Sequence, residues 1–283
     1  DGIKPFWSIT RYVDVKRVSG DNDNFVNGGG RLRLDLQDRD ERFWQGYRER
    51  MSNRGWDPDE PPDFIYTDKP DHWDMRRLVS PEFTPKAMRA REESLQHHAG
   101  YFVQEFKDRL STYGEADLVE DLSVKLPLAA ICEMMGASPD DWSSVHKWTS
   151  VMFDDPNLMN FAKPDETKKQ MRRRMFLEFE EWIFDQIKNR RAEGASGPDL
   201  ISILLRSELK GEPLTAQQLL GYIKVLIAAG NETTRNAATG GMIALLQHPE
   251  ELAFLAENID DKKVLDNAVE EIRSIPLNPM ARE

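Results

Sequence analysis

One run of 33 residues, Thr215 to Gln247 (TAQQLLGYIKVLIAAGNETTRNAATGGMIALLQ), limits what this chain can fold into more than any other stretch. Thr215 follows closely on Pro213 and is a good helix N-cap, and Pro249 after His248 forbids continuation. With no proline between those signals, the spacing predicts one helix, 215–247, roughly 50 Å long. Its first half is apolar on several faces (Leu219, Leu220, Ile223, Val225, Leu226, Ile227), so the helix is expected inside the protein. Gly230, Asn231, Glu232, Thr233, Thr234, Arg235 and Asn236 then interrupt the apolar run at mid-helix. Glycine costs about 1 kcal/mol against alanine in a helix interior, and a buried carboxylate without a partner costs more. Something other than simple packing is expected against that segment.

The remaining bounds are broad. A chain of 283 residues, 39% hydrophobic and 31% charged, is globular in composition and long enough for one large domain or two. A net charge of −12 argues against a nucleic-acid footprint, which needs a basic face. The longest apolar run, near Val225 to Ala229, is too short to span a bilayer, and no signal peptide is visible. The single cysteine, Cys132, excludes an internal disulfide and suits a reducing compartment, so a cytoplasmic protein is expected.

Along the rest of the chain nearly every periodic segment reads as helix, with short strands expected only near the two ends. Phe6 to Val13 alternates like a strand leading into a short helix. Gly28-Gly29-Gly30 reads as a turn, since no Lys-Ser/Thr follows to make a phosphate loop. Asp35 to Asp63 reads as a charged loop holding one short helix near Phe43 to Met51. After Pro70, His72 and Arg76 stand four residues apart and so share a helix face. Two basic donors there either grip a carboxylate or phosphate or form a solvated stripe. Helices are expected over 86–113, 124–135, 171–191, 200–209, 250–257 and 262–273, with another holding Trp142 and Trp148 behind Asp140 and Asp141. Cys132, among Ala, Ile and Met at helical spacing, reads as a core residue. Glu232-Thr233 reads either as a proton relay or as a carboxylate paired with a structural arginine. Glu270 and Arg273, three apart, read on their own as a surface pair.

Taken together and in this order, four segments resemble the cytochrome P-450 superfamily of haem-thiolate monooxygenases in its soluble bacterial form. AAGNETT resembles the family's long central helix motif. DHWDMRRLVSPEFTPKAM is similar to its third-helix segment with a His-x-x-x-Arg pair. EEIR is similar to the Glu-x-x-Arg motif, and LAAICEMMGASPDDW to the stretch after the fourth helix. The resemblance implies a mainly α fold, the family's helical haem-binding prism with a small sheet near the N-terminus, as a single partial domain over 1–283. It implies haem b, with Ala229 and Gly230 against the porphyrin and Glu232 and Thr233 as the catalytic acid–alcohol pair. His72, Arg76 and Arg282 would hold haem propionates, and Glu270 and Arg273 would form a buried structural pair. The implied reaction inserts one atom of O2 into an apolar small molecule, with electrons from NAD(P)H through a ferredoxin-type donor and its reductase. The variant Asn231, Arg235, Asn236 of the central motif resembles members that oxidise terpenoids and sterols. The family's iron-ligating cysteine sits in a Gly- and Phe-rich loop near the C-terminus; the sequence stops at Glu283 before such a loop, and Cys132 is not expected to ligate iron. The spacing from Arg273 to Pro276 is also shorter than the family pattern. The expectation is a fragment of a monooxygenase. The rivals are a peroxide-driven haem enzyme of the same fold and a truncated, haem-free helical binding protein descended from it.

Overall fold

The computed structural model describes residues 6–27, 37–153 and 158–274. Its helices follow one another closely. α1 (Tyr12–Gly20), α2 (Gln37–Asn53), α3 (Asp71–Arg77), α4 (Pro85–Ala90) and α5 (Glu92–Tyr113) lead through a π-helical turn, Val119–Ser123, into α6 (Lys125–Met135). Then come α7 (Trp142–Met152), α8 (Lys168–Ala192), α9 (Leu200–Arg206), α10 (Ala216–Gln247), α11 (Pro249–Glu257) and α12 (Lys262–Ser274). The mainly α fold class holds.

The strands differ from expectation. Residues 6–11 carry none, and no N-terminal sheet is found among the described residues. The two described strands, β1 (Glu208–Leu209) and β2 (Glu212–Pro213), form an antiparallel hairpin between α9 and α10. Lys210 (φ 56°) and Gly211 (φ 85°) both take positive φ, the conformation a tight two-residue hairpin turn demands. That hairpin consumes the last residues of the helix expected over 200–209. The helix expected over 86–113 is two helices meeting at Arg91.

The long helix starts and stops where its signals lie. Thr215 Oγ1 accepts from the Gln218 amide, and Gln218 Oε1 accepts in return from the Thr215 amide, each at 3.1 Å. This reciprocal cap satisfies two donors that a bare N-terminus leaves orphaned. Leu219, Tyr222, Ile223 and Ile227 are then at most 1% exposed. They join one core with Ile131 and Met135 of α6, Phe179 and Ile183 of α8, and Leu200 and Leu204 of α9. Each such side chain contributes about 1.5–3 kcal/mol by leaving water, so α10 is the axis around which the core is assembled. No described helix is long and apolar enough to cross a membrane.

Polar contacts then lock the neighbours in place. Arg190 of α8 donates to Asp199 at 2.7 Å, to Gln186, and to the last carbonyls of α6, Met135 (3.0 Å) and Gly136 (2.7 Å). The Asp57–Asp63 segment lies along the first half of α10. Tyr47 Oη donates to the Glu60 carbonyl, and Gln217 Nε2 donates to both Tyr47 Oη and the Asp57 carbonyl.

Glu180 of α8 accepts from Lys224 of α10 (2.8 Å) and from Arg54, just past α2 (2.6 Å). Burial pushes this carboxyl up, but the two cations outweigh it and hold it below its ordinary 4.5. A depressed carboxylate stabilises the fold fully above its ordinary value and loses that contribution as pH falls through the folded value. Urea unfolding at pH 7 and pH 4 checks this. Glu180→Gln is expected to lose less stability between the two than the parent, and an equal loss would remove Glu180 from the acid response.

Candidate active site

The polar segment at the middle of α10 is held residue by residue. Ala229 and Thr233, one turn apart, are both exposed and form an open strip just past the buried first half of the helix. Thr233 Oγ1 donates to the Ala229 carbonyl at 2.8 Å, which fixes the hydroxyl and leaves its lone pairs facing outward as acceptors. Gly230 points elsewhere. A Cβ there would sit 2.9 Å from Ile131 Cγ1 and 3.0 Å from Cδ1, so the glycine lets α6 approach closely. The sequence placed both small residues on one surface; Ala229 lies on the open strip and Gly230 at the helix contact.

Asn231 is 1% exposed, and its Nδ2 donates to Thr149 Oγ1 of α7 at 3.1 Å. Glu232 is partly buried. It accepts from the Arg235 guanidinium one turn on and from Asn236 Nδ2 at 3.1 Å. Arg235 is itself only 7% exposed. Of the two roles open to Glu232, the geometry displays the arginine-paired one. Its partner lies on the same helix, at a spacing that was readable in the sequence.

A second polar patch lies on α3. His72 Nδ1 stands 2.9 Å from the Phe64 carbonyl, which can only accept, so Nδ1 carries a proton. Arg76, one turn later, is exposed. Tyr222 of α10 secures α3 by donating to the Met75 carbonyl at 2.6 Å. Burial holds the Tyr222 phenol well above its ordinary value, and the nearby Arg76 charge offsets this only in part. Tyr222 precedes Ala229 by seven residues, about 10 Å along the helix, so the patch and the strip are two turns apart.

The other sequence candidates fall outside this assembly. Arg282 lies outside the described residues, as does the side chain of Arg273. Glu270 is exposed on α12 rather than buried. Ile272 packs so closely on Gly241 that a Cβ there would lie 2.8 Å from it, and the residue two positions earlier is thereby turned outward. Cys132 is 1% exposed, and burial first, then Asp141, pushes its thiol up to about 12. It is a neutral core thiol, not a thiolate donor. In folded protein at pH 8 it is expected to resist a thiol reagent such as iodoacetamide and to react on unfolding; prompt labelling of the native state would contradict this placement.

Thr149 and Ile131, which grip the polar segment from α7 and α6, were not found by sequence reasoning. Thr149 lies 82 residues from Asn231, and no local signal marks a partner brought in by helix crossing.

The Cytochrome P450 family model matches residues 33–278. The steroid C26-monooxygenase of Mycolicibacterium smegmatis is 29% identical over 255 residues, covering 88% of this chain and 53% of that protein. The linalool 8-monooxygenase of Pseudomonas putida is 27% identical over 258 residues, covering 89% of this chain and 57% of that one. Among solved structures, Mycobacterium marinum CYP268A2 in complex with pseudoionone is similar with a TM-score of 0.74 at 26% identity, over 90% of this chain and 56% of that one. The chain therefore spans little more than half the length of these relatives. A family model that covers all but the ends, together with a capped central helix carrying AAGNETT above a His-x-x-x-Arg face, places this chain in the cytochrome P450 family.

Proposed function

We propose that this chain serves in a haem-thiolate monooxygenase that inserts one oxygen atom from O2 into an apolar small molecule. The observation that carries the reading is the open Ala229–Thr233 strip at the centre of the core helix α10, with a fixed hydroxyl on it and a carboxylate next to it. The residues fit haem b on this face: a small side chain leaves room at Ala229, and His72 and Arg76 suit a propionate. They do not supply the iron's thiolate, because Cys132 is buried and protonated.

Haem, when bound, supplies the activation of O2. The chain's own residues supply position and protons. Ala229 keeps the strip clear. Thr233 Oγ1 would turn its hydrogen from the Ala229 carbonyl to donate at the strip, taking a replacement proton from the solvent side, and Glu232 would connect that hydroxyl to solvent when Arg235 releases it. His72 and Arg76 would anchor the propionate side, with Arg282 added by family resemblance. Electrons would come from NAD(P)H through a ferredoxin-type protein and its reductase. A terpenoid or sterol substrate is supported by the AGNETTRN form of the central motif and by relatives named for a steroid and for linalool.

The test is the absorbance spectrum of the reduced natural gene product under carbon monoxide. A thiolate-type shift of the main haem band is the expected result. Folded protein with no haem band would overturn the reading and leave a helical binding protein. Substrate-induced changes in that band then test the substrate class, and a response to another ligand class but to no sterol or terpenoid would exclude it.

A further inference from the structure

Thr149 and Asn231 make a polar contact where packing alone would favour an apolar one. Both are 1% exposed. Thr149 Oγ1 shares its proton between the carbonyls of Val145 (3.1 Å) and His146 (3.0 Å) in its own helix. Its lone pair is therefore what receives Asn231 Nδ2 at 3.1 Å. The other half of the amide, Asn231 Oδ1, is buried with no hydrogen-bond partner. A leucine would fill this space without an orphaned acceptor, so stability does not account for an amide here.

The place of the contact suggests its use. Asn231 is two residues from Ala229 and two from Thr233, about 200° around the helix from each, so it stands behind the open strip. Gly230 beside it is fitted against Ile131 of α6, which leaves the Asn231 tether to set the strip's rotation relative to α7. α7 is itself seated firmly: Val145 is fully buried, and Trp148 stacks on Phe179 of α8 at 5.3 Å.

We infer that the Thr149–Asn231 hydrogen bond is a joint through which α7 sets the position of the Ala229–Thr233 strip. Both residues are positioning residues. The inference rests on the role of Thr233 proposed above. A shift of α7 moves Thr233 through the joint, and a broken joint leaves the hydroxyl free to wander from its station.

The experiment uses the haem-loaded natural gene product and three variants, Thr149→Val, Thr149→Ser and Thr233→Ala. Two quantities are read: the fraction of consumed O2 released as hydrogen peroxide, and amide hydrogen exchange over 229–235 without substrate. Thr149→Val is expected to raise the peroxide fraction about threefold, as for residues coupled in one hydrogen-bond network, and to speed exchange at 229–235 more than at 219–227. Thr149→Ser restores the acceptor and should return both to parental values. If Thr149→Val does not fold, Asn231→Leu breaks the same bond and carries the same expectation. A parental peroxide fraction in the valine variant overturns the inference, whatever the exchange shows. If Thr233→Ala raises peroxide and Thr149→Val does not, only the joint fails. If Thr233→Ala raises none, the proposed role of Thr233 fails and the joint with it.

Discussion

Arg190→Leu is expected to destabilise this chain by about 3–5 kcal/mol, the usual consequence of removing one partner from a buried ion pair. Arg190 and Asp199 side chains are only 11% and 14% exposed. Every guanidinium donor is used: Nε to Asp199, one amino group to the Gln186 side chain and carbonyl, the other to the carbonyls of Met135 and Gly136. Those two carbonyls end α6, where Gly136 takes φ +69° to close the cap. A Cβ on Gly136 would lie 2.6 Å from the guanidinium, so the left-handed turn and the arginine are fitted to each other. Arg190→Lys keeps the charge but offers three donors without the planar fork, and should recover less than half of the loss. Acid adds a second readout. Burial pushes the Asp199 carboxyl up, but bonds from Ser202 and Arg190 bring it below its ordinary 3.8. Its contribution is present above that value and declines as pH falls. Without Arg190 much of that depression is gone, so the leucine variant should lose less stability than the parent as pH falls, and the gap between the two should narrow in acid. Urea and acid titrations followed by circular dichroism measure both effects. A loss under 1 kcal/mol with a parental dependence of stability on pH would show that the network is not what joins α6 to α8.

Arg190 also marks where the sequence stopped being readable. Within one helix, caps and periodicity act over a few residues, so α10 could be placed at both ends and Cys132 assigned to the core. The Glu232–Arg235 pair was equally local. Contacts made where helices cross are different in kind, because no spacing relates Arg190 to Met135 or Asn231 to Thr149. Gly230 shows the ambiguity at one residue. A mid-helix glycine reads the same whether it clears space for a ligand or for a neighbouring helix, and the Ile131 contact displays the second of these. The hairpin at Lys210-Gly211 went unseen because Leu209, four residues after Leu205, keeps the helical spacing of α9, and two-residue strands have no period to detect. The exposure of Glu270 was not readable for a related reason: a motif gives residue types, while exposure depends on which face of α12 meets α10.

Gly221→Ala should be nearly as damaging, at about 3 kcal/mol, the upper part of the range for overpacking a well-filled interior. Two terms oppose each other. Alanine gains about 1 kcal/mol over glycine in a helix interior, and Gly221 lies within α10. Against that, its Cβ would come 2.2 Å from the Pro62 carbonyl oxygen, 3.1 Å from the Pro62 carbonyl carbon and 3.3 Å from Asp63 Cα. All three are backbone atoms, so no rotamer change relieves the clash. Nor can the segment retreat cheaply, since Gln217 holds the Asp57 carbonyl and Tyr47 holds that of Glu60. The steric term wins. Gly100→Ala is the control: a Cβ at that exposed position in α5 meets nothing within 4 Å, so the same substitution should stabilise the chain by up to about 1 kcal/mol. The displacement also has a functional direction. The Asp57–Asp63 segment runs on through Phe64, whose carbonyl receives His72 Nδ1, and so into α3. A forced outward shift should loosen His72 and Arg76 together, which lowers haem retention in the loaded protein beyond what the stability loss explains. If Gly221→Ala matched Gly100→Ala in urea unfolding, the segment would not be packed on α10 at all. If it were destabilised yet kept haem like the parent, α3 would be positioned by Tyr222 and Met75 alone.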